Sequence, residues 1–316
     1  MNHEFVCDHL GLDVKSLEHS LSSSSDVFRV RLAGRDSVLK STRSPIRHAR
    51  HLAQWLRRLQ HSGVSVVAPI ELGMDNPFGE NDCYVVYPFI KGRTPTDSLE
   101  DYFLSGQLLG SIWQSEPHPG LVEYRFTDFS EGIDGVLEDL EILKQRGRIC
   151  SEAEHSILEM AGKVSDLVSS LVDAELPRCG AVWDYKAANL VFHEDKPVLI
   201  DPDSCGYLPR ILDLALAFLL WPNDCPTLAG RLPDVKQWQS FHAGLLEANV
   251  VLSDLEWQLM DSALQLMFLD EALYLLVNDE AGFQNPRQCL YLQDLIRLAK
   301  DGCKYPVSQA ESSHLG

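Results

Sequence analysis

Polar residues between positions 184 and 203 have the types and the spacing needed to transfer a phosphoryl group. Asp184, Lys186 and Asn189 form the pattern D-x-K-x-x-N, and Asp201 follows the apolar run 198–200. One carboxylate can orient an attacking hydroxyl and accept its proton, while an amide and a further carboxylate hold Mg²⁺ against the phosphates. Because short connections keep consecutive strands adjacent, a hairpin is expected to bring 184–189 and Asp201 to one edge.

The elements that must position these groups change in type along the chain. Hydrophobic periodicity predicts strands at 28–32, 37–41, 64–72 and 82–90, an amphipathic helix at 45–60, and, after about residue 97, helices at 157–171, 211–220, 235–248, 254–277 and 287–300. The sequence therefore predicts an α+β fold of two lobes. A small β-rich lobe occupies residues 1–91 and a larger, mainly helical lobe occupies 92–304, and the tail 305–316 is predicted to be disordered.

Composition and charge exclude some classes of protein. The chain has 316 residues, of which 45% are apolar, and 27 Lys and Arg against 46 Asp and Glu give a net charge of −19. Proteins that bind nucleic acids are usually basic, so no nucleic-acid partner is expected, whereas cationic ligands would be attracted. The eight cysteines form no CxxC pair, and the sequence predicts neither a signal peptide nor a membrane-spanning run. These features predict a cytoplasmic protein without a membrane partner.

The order of these features resembles the protein-kinase-like fold and, within it, the aminoglycoside phosphotransferase and choline kinase superfamily. Lys40 lies on an early strand before a helix, and the segment 84–92 reads as the boundary between the lobes. The run Asp213-Leu214-Ala215 matches the Asp-(Leu/Ile)-Ala with which this family opens a helix. No long activation loop separates Asp201 from Asp213. The resemblance covers residues 20 to 300 and is more specific in the second lobe.

The resemblance implies roles for the residues of the second-lobe motif. Asp184 would orient the acceptor hydroxyl and accept its proton, and Lys186 stands where protein kinases keep a lysine on the γ-phosphate. Asn189 and Asp201 match the two ligands of Mg²⁺, an ion that needs only a few protein oxygens. Asp203 would either support the metal ligands without touching the ion or bind a second metal ion.

The resemblance also implies a nucleotide site in the first lobe, with one departure. Lys40 would grip the α- and β-phosphates, and the boundary strand would offer adenine the Pro88 carbonyl and the Ile90 N–H. In the family this lysine pairs with a glutamate of the following helix, but residues 46–55 contain no acid. Another group is then expected to hold Lys40. The loop 21–26, which would cover the phosphates, contains no glycine.

The acceptor is expected to bind the helical lobe. In aminoglycoside kinases, acids of this region bind ammonium groups of the drug, and Asp270 and Glu271 lie in a mostly apolar run, where they are expected to face a cavity. The sequence thus predicts an O-phosphotransferase that uses ATP, or GTP, and Mg²⁺. Its acceptor would be a small hydroxylated molecule, first an aminoglycoside-like antibiotic or amino sugar. A kinase of a neutral sugar or other metabolite is one alternative, and a non-catalytic pseudokinase is the other.

The segment 198–203 also resembles the motif of a phosphatase of the haloacid dehalogenase type, which is an alternative interpretation. There, the first aspartate of a strand-end D-x-D is a nucleophile. That family has threonine at the fifth place, where this chain has Cys205, and it leaves the D-x-K-x-x-N pattern unexplained. A P-loop enzyme is excluded because no G-x-x-x-x-G-K sequence occurs.

Overall fold

The computed structural model describes residues 3–14, 20, 26–42, 45–72, 83–124 and 133–312, so most of the loop 21–26 lies outside the described residues. The chain divides into two compact units. The first comprises Met1–Arg93, Pro117–Val122 and Val191–Asp203, and the second comprises Thr94–Glu116, Glu123–Leu190 and Ser204–Gly316. Among the described residues, no helix has the length and apolar character to cross a bilayer.

The first unit contains an antiparallel sheet with the strand order β1–β2–β3–β4. Its strands are β1 (Leu12–Val14), β2 (Val27–Leu32), β3 (Arg35–Thr42) and β4 (Cys83–Pro88), and the predictions for the last three are confirmed. Side chains alternate between the two faces of a strand. Leu39 and Val86 belong to a buried cluster that includes residues of α1 (His3–Leu10). Lys40 and Tyr87, one position further along, therefore fall on the opposite face.

Helix α2 (Ile46–His61) follows β3, as predicted, and buries an apolar stripe that includes Trp55. The predicted strand at 64–72 is wrong, since this segment forms only one parallel bridge, between Val66 and Leu199. Its backbone is used differently: the Val67 N–H donates to the Leu199 carbonyl, and the Leu199 N–H donates to the Ser65 carbonyl. These bonds fix the end of β8 (Lys196–Leu199), which pairs with β7 (Leu190–His193), just before Asp201.

The second unit is mainly helical. Arg178–Ala181 forms β6, which pairs antiparallel with β9 (Gly206–Pro209), and β5 (Val122–Glu123) adds to β9. The helices are α3 (Leu99–Trp113), α4 (Asp134–Gln145), α5 (Ser151–Gly162), α6 (Val164–Asp173), α7 (Arg210–Leu220), α8 (Val235–Glu247), α9 (Asp254–Met267), α10 (Leu273–Asn278), α11 (Glu280–Gln284), α12 (Pro286–Lys300) and α13 (Gln309–Ser312). Glycines 106 and 244 allow α3 and α8 to approach closely, because a side chain at either position would collide with the other helix's backbone.

Two predicted helices are interrupted in the structure. The helix expected at 157–171 consists of α5 and α6, which separate at Lys163, directly after Gly162. The helix expected at 254–277 contains a π-helical turn, Phe268–Ala272, between α9 and α10. Apolar periodicity does not reveal either break, because both halves continue to bury one face.

The structure differs from the expected disordered tail at Tyr305 and Val307, which are both buried. The Trp238 Nε1–H donates to the Tyr305 hydroxyl at 2.5 Å, and the Tyr305 N–H donates to Asp261 Oδ1 at 2.8 Å. The composition of the tail suggested disorder, but Tyr305 packs in an aromatic cluster and has three hydrogen-bond partners, Trp238, His242 and Asp261. That packing orders the chain as far as α13.

Candidate active site

A buried carboxylate on α7 holds the loop that carries the D-x-K-x-x-N pattern. Asp213 Oδ2 accepts hydrogen bonds from Trp113 Nε1 (2.7 Å) and the Val182 N–H (3.1 Å), and Oδ1 accepts one from the Trp183 N–H (2.8 Å). Burial raises the pKa of Asp213, and these three hydrogen bonds oppose that rise. All three partners are donors, so the pocket is built for the ionised carboxylate.

The same contact fixes an unusual backbone conformation next to Asp184. Trp183 has a φ of 66°, in the left-handed region that non-glycine residues rarely adopt. Its N–H is one of the three donors to Asp213. A strained conformation persists only where the surroundings hold it, and here it directs the chain as it leaves β6.

The structure brings the three motif residues together. Asn189 ends the 3₁₀ turn Ala187–Asn189, and its Nδ2 donates to the backbone carbonyl and to Oδ2 of Asp184, both at 2.9 Å. Lys186 Nζ lies 3.2 Å from the same Asp184 Oδ2. Both hydrogen bonds of Asn189 use its amide nitrogen, and the amide oxygen is the atom that a metal ion would take. Asp184 is thus fixed by a neutral donor and by a cation.

A second polar group lies in the first unit and contains Lys40. Its ammonium is 2.5 Å from Asp201 Oδ1 and 2.9 Å from Asp203 Oδ2. The Tyr87 hydroxyl donates to Asp203 Oδ1 at 2.5 Å. Burial lowers the pKa of Lys40, but the charges of Asp203 and Asp201 outweigh it, so the pKa lies above its usual value. Two strand-end carboxylates therefore hold the lysine that has no acid on α2.

Each of these two polar groups contains an oxygen ligand of the kind that a hard divalent cation prefers. Asp201 and Asn189 would supply a carboxylate and an amide oxygen. No group of three or more His, Cys, Asp or Glu able to hold a metal exists among the described residues. Mg²⁺ is commonly bound by one or two carboxylates together with water and substrate phosphates, so ligands of these types are suitable for it.

The predicted adenine-binding positions lie at the end of β4. Pro88 pairs with Ser37, and the N–H of Phe89 donates to the carbonyl of Asp36 at 3.2 Å. Ile90 follows outside the strand and is half-buried. Four residues after Pro88, Gly92 passes so close to the backbone of Phe192 that no side chain fits there. The roles of Pro88 and Ile90 stay predictions.

Asp270 and Glu271 lie on the π-helical turn, and an aromatic side chain holds each of them. The Tyr124 hydroxyl donates to Asp270 Oδ2 at 2.7 Å, and Trp183 Nε1 donates to Glu271 Oε1 at 3.0 Å. The two aromatic rings are in contact, with centroids 4.6 Å apart. We call these four residues, Tyr124, Trp183, Asp270 and Glu271, the acidic–aromatic cluster. One of them, Trp183, directly precedes Asp184 in the sequence. π-Helical turns occur frequently at functional sites.

Other acids of the later helices have partners outside this cluster, mainly arginine side chains and backbone N–H groups. Glu256 is fully buried and binds the Arg210 guanidinium through both oxygens at 2.6 and 2.7 Å. Asp279 caps α11 by accepting from the Gly282 N–H, and Glu280 lies 3.4 Å from Arg146. Asp254 contacts Gln309, Asp261 contacts Tyr305, and Asp294 binds the guanidinium groups of Arg231 and Arg297.

The sequence gives no signal for two residues of these groups and only a partial signal for a third. Tyr87 and Tyr124 are strand-region tyrosines like many others, and only the register and the tertiary contacts reveal that they bind carboxylates. Asp213 is marked by the Asp-Leu-Ala resemblance, but its role as the acceptor for the loop before Asp184 needed the structure.

Comparison with known proteins gives one family and a consistent fold. A family model described as "Phosphotransferase enzyme family" matches residues 17–243. No curated protein matches the chain. Among solved structures, the amicoumacin kinase hAmiN in complex with AMP-PNP and Ca²⁺ is 17% identical, with a TM-score of 0.64, and the match covers 100% of this chain and 98% of that one.

Two further structures agree. The microcompartment-associated aminopropanol kinase is 19% identical with a TM-score of 0.66, covering 96% of this chain and 99% of that chain. Spectinomycin phosphotransferase with ADP and spectinomycin is 13% identical with a TM-score of 0.63, covering 95% and 97%. At these identities the likeness concerns the fold, and it confirms the predicted α+β, protein-kinase-like architecture.

Proposed function

Since the chain belongs to the phosphotransferase enzyme family, we propose that it transfers the γ-phosphate of ATP, with Mg²⁺, to a hydroxyl of a small molecule. The observation that carries this proposal is the fixed Asp184 carboxylate, which Asn189 and Lys186 hold at 2.9 and 3.2 Å. A general base must be positioned before it can act on a bound hydroxyl.

In the proposed reaction, each motif residue has one task. Asp184 accepts a hydrogen bond from the acceptor hydroxyl and takes its proton as the oxygen–phosphorus bond forms, while the bond from the γ-phosphorus to the bridging oxygen breaks and ADP leaves. Lys186 balances negative charge beside Asp184. Asn189 and Asp201 would hold Mg²⁺, which neutralises charge on the phosphates when it is bound.

The nucleotide is assigned to the first unit. Lys40 would bind the α- and β-phosphates with its ammonium group. The Pro88 carbonyl and the Ile90 N–H would pair with the base, for which proline is suitable because only its carbonyl is needed.

We further propose that the acceptor carries positive charge, as an aminoglycoside-like antibiotic or amino sugar does. Residues 92–316 hold 16 Lys and Arg against 36 Asp and Glu, whereas residues 1–91 hold 11 against 10, so the net negative charge lies in the helical part of the chain. Within that part, the acidic–aromatic cluster offers two carboxylates and the faces of two aromatic rings, which together suit an ammonium group. The fold neighbours include kinases named for aminopropanol and for amicoumacin.

A screen with labelled ATP tests the proposal. The panel contains aminoglycosides, spectinomycin-like drugs, small amino alcohols and neutral sugars, each with and without Mg²⁺. We expect Mg²⁺-dependent transfer to at least one amine-bearing hydroxyl compound, and none by the Asp184→Asn variant. Transfer only to neutral sugars would refute the cationic acceptor. Nucleotide binding by the wild type with no transfer to any compound would instead favour a non-catalytic role.

A further inference from the structure

Lys40, the lysine proposed to bind the nucleotide, contacts carboxylates that do not belong to the helix that follows it. Helix α2 contains no Asp or Glu in its whole length, Ile46–His61. Lys40 instead contacts Asp201 and Asp203, which follow β8. We propose that Asp203 is the positioning residue of Lys40, and that Asp201 is the carboxylate which Lys40 gives up when a metal–nucleotide complex binds. This inference rests on the proposed function.

The two carboxylates differ in ways that separate their roles. The Asp203 side chain is 14% exposed, close to the 13% of Lys40, whereas the Asp201 side chain is 36% exposed. Asp203 uses one oxygen for Lys40 and the other for Tyr87, while the ion pair of Asp201 uses Oδ1. The more exposed carboxylate, Asp201, can be reached by a hydrated metal ion at a lower cost than the enclosed one.

The strand register explains why Tyr87 can support Asp203. In the β3–β4 ladder Lys40 pairs with Val85 and Val38 pairs with Tyr87, so Lys40 and Tyr87 are diagonal neighbours on one face of the sheet. Such neighbours lie within the combined reach of long side chains. The tyrosine and the lysine thus reach the same carboxylate from one sheet, Tyr87 by a hydrogen bond to Oδ1 and Lys40 by an ion pair with Oδ2.

The arrangement has a direct consequence for ligand binding. Lys40 balances the charge of two carboxylates. If Asp201 bound a metal ion, Lys40 would keep Asp203 as its partner, and its ammonium would stay in place for the phosphates. If Asp203 were neutral, Lys40 would depend on Asp201 alone and would compete with the metal for that carboxylate.

A double-mutant cycle on nucleotide binding tests the inference. Binding of AMP-PNP with Mg²⁺ is measured by titration calorimetry for the wild type, Asp203→Asn, Lys40→Met and the double variant. We expect Asp203→Asn to weaken binding on the order of tenfold when Lys40 is present, and by less than about threefold in the Lys40→Met background, because residues in one network couple. Asp195→Asn, an exposed acid on the β7–β8 turn, is the matched control and should bind as the wild type does.

Thermal unfolding of the nucleotide-free proteins gives a second readout. Lys40→Met leaves two carboxylates that share one vacated site, so its Tm should fall, and adding Asp203→Asn should recover part of the loss. Tyr87→Phe, which keeps the ion pairs, should weaken nucleotide binding in the same direction as Asp203→Asn but less. It serves as the milder test if Asp203→Asn fails to fold.

The outcomes separate the inference from the function on which it rests. An equally large loss from Asp203→Asn in both backgrounds would show that Asp203 binds the metal directly and would overturn the inference. Unchanged binding in both backgrounds, or a further fall of Tm in the double variant, would overturn it as well. If the wild type binds no nucleotide at all, the proposed function itself fails.

Discussion

Replacing Asp213 by asparagine should destabilise the protein and displace the loop that carries Asp184. The carboxylate is fully buried and accepts from three donors, at 2.7, 2.8 and 3.1 Å. Asparagine has the same shape but only one acceptor atom. If its oxygen takes the Oδ2 position, it satisfies Trp113 and Val182, but its amide nitrogen then faces the Trp183 N–H, which is also a donor.

The magnitude follows from that unsatisfied pair. A buried donor without a partner costs about 1–3 kcal/mol, and hydrogen bonds to a charged acceptor are stronger than those to a neutral one. We therefore expect Asp213→Asn to lower the free energy of unfolding by about 3 kcal/mol. Because Trp183 is released from its left-handed conformation, the phosphoryl-transfer rate should also fall, by about tenfold or more, since small misplacements of a catalytic group are costly.

The assay is urea denaturation at neutral pH, followed by far-ultraviolet circular dichroism. Asp173→Asn is the matched control, because Asp173 is exposed at the end of α6 and its change should stay within about 0.5 kcal/mol. A variant Asp213→Asn as stable as this control would refute the reasoning, as would an unstable variant whose turnover per folded molecule is unchanged.

Three further predictions concern catalysis, the acceptor and pH. Asp184→Asn should abolish transfer in the labelled-ATP assay while calorimetry still detects nucleotide binding; near wild-type turnover would remove Asp184 from catalysis. Asp270→Asn and Glu271→Gln should each raise the KM of a cationic acceptor roughly fivefold or more, and added salt should raise it further; the exposed control Glu247→Gln should not, and a KM flat in all variants would favour a neutral acceptor. His242 is fully buried, and burial lowers its pKa from 6.5 to about 3. The unfolded chain therefore binds a proton below pH 6.5 that the folded protein excludes, so stability should fall as pH drops from 6.5 towards 3, by roughly 2 kcal/mol at pH 5. His242→Phe should flatten this slope in acid titrations followed by circular dichroism, and an unchanged slope would contradict the assignment.

Residue types at short spacings were enough to predict the enzyme class and the class of fold, because both leave local patterns in the sequence. The D-x-K-x-x-N pattern spans six residues, so local chain geometry alone keeps Asp184, Lys186 and Asn189 within reach of one another, and the structure shows these contacts. Periodicity likewise gave β2, β3, β4 and α2, since alternation and the helical stripe are local properties. The predicted meeting of residues 184–189 with Asp201 at one edge stays a prediction.

The partners that come from distant parts of the chain could be identified only in the tertiary structure. The sequence showed that α2 has no acid for Lys40, but the replacement lies 163 residues further on at Asp203, and Tyr87 reaches it only through the β3–β4 register. Local sequence patterns also did not predict the π-helical turn that carries Asp270 and Glu271, or the burial of Tyr305. Each depends on side chains from distant segments packing together, and the free energy of such contacts is set by neighbours that a window of sequence does not contain.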